Sequence, residues 1–286
     1  MMETFFLLFA AAFGASALGG VLGMASGIFI VPMLTLFFHI DIRGAIAASL
    51  VSVIACSCGS AAPFLKRGLT NIRIAIVLET ATTLGALTGA LLAGLLPTAF
   101  LYGLFAAILA VSAMQMLARR REEALTEAPP SGTWTTALRL HSSYPEHSEG
   151  GAAVPYYVDR LPLGLGLMLG AGVISALLGI GSGVLKIPAM DTALRLPLKV
   201  SSATSNFMIG VTAAASAGVY LMRGEIAMMV AGPVALGSVV GSLAGARLLF
   251  GLPAGKLRLF FVVVLVLLAF QMLMTALGFN WLGQTA

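Results

Sequence analysis

Long apolar runs separated by short polar turns make up most of the chain, and this alternation predicts a set of helices. Residues such as Asp41, Arg43 and Lys66 mark turns between the runs. A helix needs about 20 mostly apolar residues to cross the roughly 30 Å hydrocarbon core of a bilayer. Runs of this kind predict spanning helices at 45–65, 74–96, 98–118, 200–222, 226–250 and 257–279.

Two further apolar stretches, 4–38 and 161–194, are interrupted by glycine-rich segments. Glycine and proline both oppose a continuous helix. Non-helical backbone at membrane depth is tolerated only where protein or a water-filled cavity satisfies its polar groups. We therefore expect each stretch to form a broken, re-entrant-like hairpin of helices. The residues assigned to the breaks are Gly23, Pro32, Gly179, Gly181 and Pro188.

The composition indicates an all-α integral membrane protein. Of 286 residues, 59% are hydrophobic and 9% are charged, and the mean hydropathy is +1.02. The formal charge of +5 does not indicate nucleic-acid binding, because the basic residues lie between apolar runs, where they determine membrane topology. Cys56 and Cys58 are too few for a structural zinc site and are interpreted as small packing residues. No metal or other cofactor is predicted.

Residues 119–160 differ from the rest of the chain in being polar and charged, with several prolines. This composition predicts a partly flexible linker between a first membrane repeat, 1–118, and a second, 161–286. His141 and His147 lie six residues apart in the linker. A metal site is one interpretation of this pair, and solvent exposure is the simpler one.

The second half aligns with the first at a fixed offset of 156 residues without gaps. Coincidence in a Gly/Ala/Leu-rich chain is a poor explanation, because prolines and an Arg-Gly pair also match. Transporters are commonly built from two such repeats, with the substrate between them near the membrane midplane. Matched positions include Ser26-Gly27 with Ser182-Gly183, Pro32 with Pro188, Arg67-Gly68 with Arg223-Gly224, and Pro97 with Pro253.

Basic residues predict the relative orientation of the two repeats. If each broken stretch returns to its starting side, the repeats are inverted, and thirteen of the 16 basic residues lie on the linker side. Only Arg43 and Arg223 then lie on the opposite side, and Lys186 lies within the membrane. Parallel repeats would divide the basic residues nine to six. The positive-inside rule favours the inverted arrangement, with a cytoplasmic linker and both termini outside.

The second break carries the chain's most informative charge, Lys186. A cation at membrane depth is costly and indicates a functional site. A helix that begins after a break directs its N–H groups toward the gap, which favours an anion. Lys186 is therefore the first candidate for binding an anionic substrate. A packing kink with a lysine that snorkels to the surface is the alternative.

Short polar residues at matched positions complete the candidate site. Glu79 is expected to pair with Arg73 near the interface, with transfer of a coupling proton as its second interpretation. Asp191 is expected at the interface, where it could neutralise Lys186 or share the proton-coupling role. The hydroxyl, amide and glycine candidates for binding the substrate are Ser26, Gly27, Ser49, Ser182, Gly183, Thr204, Ser205 and Asn206; local hydrogen bonding to helix carbonyls is their alternative role.

The motif Gly-x-x-Ser-Gly-x-x-x-Val/Ile-Pro occurs at Gly23 and again at Gly179, with Ala-x-Ser and then Arg-Gly downstream of each. This pattern resembles the TauE/SafE family of sulfite exporter (DUF81-type) permeases over nearly the whole chain outside 119–160. Ala25, Ser26 and Ser182 stand where the family usually has further glycines. The resemblance implies a multi-pass protein of the bacterial inner membrane that moves sulfur-containing anions, such as sulfite or sulfoacetate.

The leading hypothesis is therefore a secondary transporter, in the export direction, of a small sulfur-containing anion by alternating access between two inverted repeats. Coupling to protons or to the membrane potential would drive it, because the chain has no nucleotide-binding P-loop motif. An anion channel and a non-transporting scaffold subunit are the alternatives. The sequence shows no His/Cys/carboxylate cluster at membrane depth, which argues against an enzyme. The expected partners are the anion and the lipid bilayer, and a homo-oligomer is compatible with the pattern.

Overall fold

A computed structural model describes residues 2–22, 26–117, 134–145, 154–248 and 254–278, and these residues form an all-α membrane protein. Within this part of the chain, 5 helices are long and apolar enough to cross a bilayer. The elements are α1 (Met2–Leu22), α2 (Gly27–Phe37), α3 (Ile42–Lys66), α4 (Ile72–Ala93), α5 (Thr98–Leu117), α6 (Trp134–Ala137), β1 (Ser142–Tyr144), β2 (Val154–Tyr156), α7 (Leu161–Leu178), α8 (Gly183–Leu194), α9 (Leu198–Met222), α10 (Met228–Leu248) and α11 (Ala254–Ala276).

Each apolar run predicted to span is one helix, with ends within a few residues of the prediction. Each interrupted stretch is a pair of helices, α1 with α2 and α7 with α8. The helices of the second half also keep the sequence offset. For example, α3 and α9 are both 25 residues long and begin 156 residues apart. The repeated hydrophobic pattern therefore gives the same order of helices in both halves.

The two halves pack against each other through small residues. Helix α1 packs against α10, and α4 packs against α7. A Cβ atom at Gly85 would overlap the carbonyl of Leu169, and one at Gly241 would overlap the carbonyl of Phe13. Close approach of glycine backbones is the usual means of association between membrane helices. Gly85 and Gly89 on α4, and Gly237 and Gly241 on α10, therefore form small-residue contact faces with the spacing Gly-x-x-x-Gly.

Two arginines lie at one end of the helix bundle. Arg43 donates from Nη2 to the carbonyl of Leu96 at 2.9 Å. Arg223 donates to the carbonyls of Ala90 and Leu91 at 2.8 and 2.7 Å. All three acceptors lie in or just after the C-terminal turn of α4, so Arg43 and Arg223 share this end.

The opposite end of α4 meets the linker and the start of α9. Asn71 caps α4, because its Oδ1 accepts from the backbone amide of Ile74 at 3.1 Å. The backbone amide of Asn71 donates to Thr204 Oγ1. Nearby, the amide of Asp159 donates to the carbonyl of Leu194 at 3.4 Å. Helix α8 therefore ends close to where α7 begins, so the second broken stretch folds back on itself.

Part of the linker that was predicted to be partly flexible is folded: residues 134–145 and 154–160 include the short helix α6 and the strands β1 and β2. Strands β1 and β2 pair antiparallel. Leu140, Tyr156 and Val158 are buried against membrane helices, because their side chains are apolar. The average composition of the segment is polar and does not reveal these three positions. His141 is half-buried, whereas His147 lies outside the described residues.

The prolines assigned to the helix breaks do not break their helices. Pro32 lies inside α2 and Pro188 inside α8. Each removes one N–H donor from the helix interior, and packing within a protein compensates for such a loss. Gly179 and Gly181 do lie in the second break, with φ of +64° and +65°; Gly23 lies outside the described residues.

Candidate functional site

The two helix breaks lie in contact. Gly27, at the start of α2, packs so closely on Gly179 that a Cβ atom would overlap the Gly179 carbonyl. Ser49 on α3 donates to the same carbonyl at 2.8 Å. Only glycine adopts the left-handed conformation of residue 179 without strain and also allows this approach. The start of α2 therefore lies against the second break, where α7 ends.

A buried ion pair lies one turn beyond the second break. Lys186 is fully buried, with 0% exposure, and its Nζ lies 3.1 Å from Glu79 Oε2 on α4. The hydroxyl of Thr212 on α9 accepts from Nζ and donates to Glu79 Oε1, both at 2.5 Å. Thr83 also donates to Glu79 Oε1 at 3.3 Å. Three helices thus converge on one charge pair.

This arrangement corrects the expected pairing of Glu79 with Arg73. Arg73 is exposed at the N-terminal end of α4, where its Nη1 donates to the carbonyl of Arg139 at 3.2 Å. Glu79 lies on the buried face of α4, which packs against α7 and α9. The carboxylate hydrogen-bonded to Lys186 is therefore Glu79. Asp191, the residue expected to neutralise this lysine, is half-buried further along α8.

Thr212 is the site residue that the sequence analysis missed. The repeat offered a signal, since residue 212 matches Cys56, also a polar or thiol side chain within an apolar run. Its ability both to accept and to donate a hydrogen bond lets it bridge an ammonium and a carboxylate.

Several predicted substrate ligands are buried polar groups that have no hydrogen-bond partner within the described residues. These are Ser182 Oγ, Ser205 Oγ and Asn206 Nδ2, together with Ser201 Oγ, which was not predicted. Ser182 precedes Lys186 by four residues, so both lie on one face of α8. A buried polar group without a partner costs about 1–3 kcal/mol. A ligand that hydrogen-bonds to these groups would remove that cost.

The other predicted ligands already have partners. Ser49 bonds to Gly179, and Thr204 accepts from the amide of Asn71. Ser26 lies 3.2 Å from Ser52 Oγ, which continues to Ser238 on α10. Gly183 lines a cavity of about 120 Å³ beside the start of α8. The unsatisfied polar groups among the predicted ligands are therefore those of the second half.

The repeat makes this asymmetry explicit. The positions that match Lys186, Glu79 and Thr212 in the other half are Ile30, Ala235 and Cys56. The ion pair joins the two halves, because Lys186 and Thr212 lie in the second and Glu79 in the first, and the positions that match these three residues carry no charge.

Discontinuous helices that meet beside buried polar groups are the means by which membrane transporters hold substrates. The fold and the site therefore define a multi-pass membrane protein of the transporter class. Residues 8–272 match the family model described as Sulfite exporter TauE/SafE, and the chain belongs to this TauE/SafE family. The family is one of membrane transporters and not of enzymes.

Two relatives from Bacillus subtilis (strain 168) agree with this class. "Probable membrane transporter protein YunE" is 22% identical over 267 residues, covering 91% of this chain and 93% of the relative. "Probable membrane transporter protein YdhB" is 25% identical over 232 residues, covering 80% and 83%. No solved structure matches the chain.

Proposed function

We propose that this transporter is a secondary carrier that exports a small sulfur-containing anion by alternating access between two inverted repeats. The observation that carries the proposal is the buried Lys186–Glu79 pair beside the meeting helix breaks. The family description supports the sulfur-containing substrate and the export direction.

The anion would take the place of Glu79 on Lys186. An oxyanion accepts several hydrogen bonds, and the partnerless groups of Ser182, Ser205 and Asn206 could donate to it. The amides of the first turn of α8 face the same break and add partial positive charge. Sulfite and sulfonates offer oxygens suited to this set of donors.

Glu79 supplies the coupling step. Lys186 and Glu79 together are neutral, so an added anion would leave one uncompensated negative charge in a medium of low dielectric, at a cost of several kcal/mol. A proton on Glu79 restores neutrality. Binding of a monovalent anion would therefore be linked to uptake of one proton at Glu79, with Asp191 as the second candidate for that role.

Alternating access follows from the burial of the site. Lys186 has no exposed surface, so an anion reaches it only when the surrounding helices move. The contact between the two breaks is the natural place for such a movement, because each break belongs to a different half. The halves would then rock about the shared site.

The inverted orientation is supported by the two ends of α4. Arg43 and Arg223 bind one end, and the linker packs near the other. This is the division of basic residues that the positive-inside rule favoured. We place the linker in the cytoplasm, both termini outside, and the protein in the bacterial inner membrane.

The test is thermal unfolding of the purified protein with sulfite, sulfate, thiosulfate, sulfoacetate, acetate and chloride. A ligand that binds only the folded state stabilises it by about 2.7 kcal/mol at a hundred times its Kd. We expect one sulfur-containing anion to stabilise the protein, and the double variant Lys186→Met/Glu79→Gln to lose the effect. An equal response of both proteins would remove the site from the proposal.

Flux through proteoliposomes then separates a carrier from the alternatives. A carrier saturates and shows counterflow, a channel shows large conductance, and a scaffold subunit shows neither. The direction of transport is tested by imposing the gradient in each direction in turn. Flux of the stabilising anion under only one of the two gradients would determine whether the protein exports.

A further inference from the structure

We propose that a cavity between the linker and the N-terminal end of α4 is a binding site for a phosphate group. The cavity has a volume of about 240 Å³ and does not overlap the residues around Lys186. It is lined by Gly68, Thr70, Asn71, Ile72, Arg73, Arg139, His141, Ser142, Ser143 and Tyr156.

The charge of the lining selects an anion. Arg73 and Arg139 are the charged residues of the lining, and no Asp or Glu is among the lining residues. One arm of Arg73 is already fixed, because Nη1 donates to the carbonyl of Arg139 at 3.2 Å. The remaining guanidinium N–H groups can form the paired hydrogen bonds by which arginine recognises phosphate.

Neutral donors line the same cavity. Thr70 Oγ1 is buried without a hydrogen-bond partner within the described residues. The hydroxyl of Tyr156 accepts from Asn71 Nδ2 at 2.8 Å and carries one proton of its own. Burial raises the pKa of Tyr156 above its usual value of 10.0, and the phenol therefore keeps that proton at physiological pH.

The size and place of the cavity limit the ligand. Its volume lies below the roughly 300–1,000 Å³ typical of pockets for drug-sized molecules, so it suits one phosphate group. Lys66 and Arg67 lie directly before Gly68 on the same turn, which places the cavity where the bundle ends. The phosphate could belong to free inorganic phosphate or to the headgroup of an anionic lipid.

A ligand here would join the linker to a helix of the transport site. Arg139 and Ser142 belong to the linker, whereas Arg73 lies in the first turn of α4. Glu79 lies six residues further along that helix. A bound phosphate would therefore hold α4 against the linker and resist any movement of α4 that transport requires.

The experiment measures thermal unfolding of the full chain, with inorganic phosphate in neutral detergent and, separately, in nanodiscs with or without phosphatidylglycerol. We expect one of these phosphates to raise the Tm of the unmodified protein. Arg73→Gln/Arg139→Gln should lose at least nine-tenths of the rise. Lys199→Gln is the matched control, because Lys199 is an exposed cation at the start of α9, outside the cavity.

The double variant Lys186→Met/Glu79→Gln separates this site from the transport site and should keep the full rise. A rise with free phosphate identifies a soluble ligand, and a rise only with phosphatidylglycerol identifies a lipid. The proposal is overturned if neither phosphate raises the Tm, or if the rise survives in Arg73→Gln/Arg139→Gln.

Discussion

Lys186 and Glu79 remain inside the helix bundle because each neutralises the other, and because Thr212 hydrogen-bonds to both. The position of Lys186 could be predicted from sequence, since a lysine in a broken apolar stretch stands out without any knowledge of its neighbours. The partner of Glu79 could not be predicted from the sequence. Arg73 and Lys186 are both plausible by charge, and only the packing of α4 against α9 decides between them.

The first prediction concerns the stability of this pair. Lys186→Met leaves Glu79 buried without a counter-ion, and such a change typically costs about 3–5 kcal/mol. Lys186→Met/Glu79→Gln has no uncompensated charge and should recover most of that loss. Thermal unfolding of both variants measures the difference. Equal destabilisation of the two would mean that the ion pair in the structure does not stabilise the fold.

The second prediction concerns the proton. Anion binding should be accompanied by uptake of about one proton, so that affinity improves as pH falls, by up to tenfold per unit. The charged or hydrogen-bonding groups facing Glu79 are Lys186, Thr212 and Thr83; α7 has no titratable residue, and Lys199 and Tyr220 lie near the two ends of α9.

A pH-indicator dye in weakly buffered solution measures that uptake directly. Glu79→Gln should still bind the anion and should take up no proton. Proton uptake that persists in Glu79→Gln would assign the coupling to another group, and Asp191→Asn would be examined next.

Among the elements, the helices were predictable and the breaks were predictable only in part. Hydrophobic run length alone gives the bounds of α3, α4, α5, α9, α10 and α11 within a few residues. Proline misled the placement of the breaks, because Pro32 and Pro188 are accommodated inside helices that other helices surround. The folded part of the linker was missed because buried Leu140, Tyr156 and Val158 are too few to change an otherwise polar composition.

The contact between the breaks gives the third prediction. Gly27→Ala places a methyl group against the carbonyl of Gly179, and overpacking of this kind costs about 1–3 kcal/mol. Gly14→Ala in α1 is the control, because nothing lies within 4 Å of its Cβ position. Thermal unfolding should separate the two variants. An unchanged Tm for Gly27→Ala would show that the breaks are loosely packed.

The linker gives the fourth prediction. His141 accepts at Nδ1 from the amide of Val158 at 3.1 Å, so it is neutral when this contact forms. Burial lowers its pKa below the usual 6.5. A lowered folded-state pKa means that the unfolded linker binds more protons just below pH 6.5. The hydrogen bond between His141 and the amide of Val158 should therefore be fully formed above pH 6.5. It should weaken as pH falls through the lowered pKa of His141.

Hydrogen exchange of the Val158 amide as a function of pH tests this prediction. His141→Asn can keep an acceptor near that amide but does not titrate in this range, so its protection should not depend on pH between 5 and 7. If the unmodified protein is equally insensitive, His141 does not control the attachment.

At the scale of the whole molecule, the repeat could be predicted because its signal is an offset shared by many positions, not by one motif. The inverted orientation, in which Arg43 and Arg223 share a side, was predicted from the distribution of basic residues. Neither signal shows which of two matching positions contributes to the site. The matching residues Ile30 and Ala235 show that identical helix order supports different chemistry.

The fifth prediction tests the orientation by labelling. In a background of Cys56→Ala and Cys58→Ala, we expect Lys199→Cys to react with a membrane-impermeant maleimide only from the cytoplasmic side. Ala227→Cys, in the exposed turn before α10, should react only from outside. The reverse result, with Lys199→Cys labelled only from outside and Ala227→Cys only from the cytoplasm, would favour parallel repeats.

The packing of α1 on α10 and of α4 on α7 also has a consequence for biosynthesis. As the ribosome releases the first half, Gly85 on α4 and Phe13 on α1 face lipid or insertion machinery, because their partner helices have not yet been made. Neither half can complete its interior before the other is inserted. The protein therefore assembles late, after most of the second half has entered the membrane, and truncation before α10 should leave a chain that quality-control proteases remove.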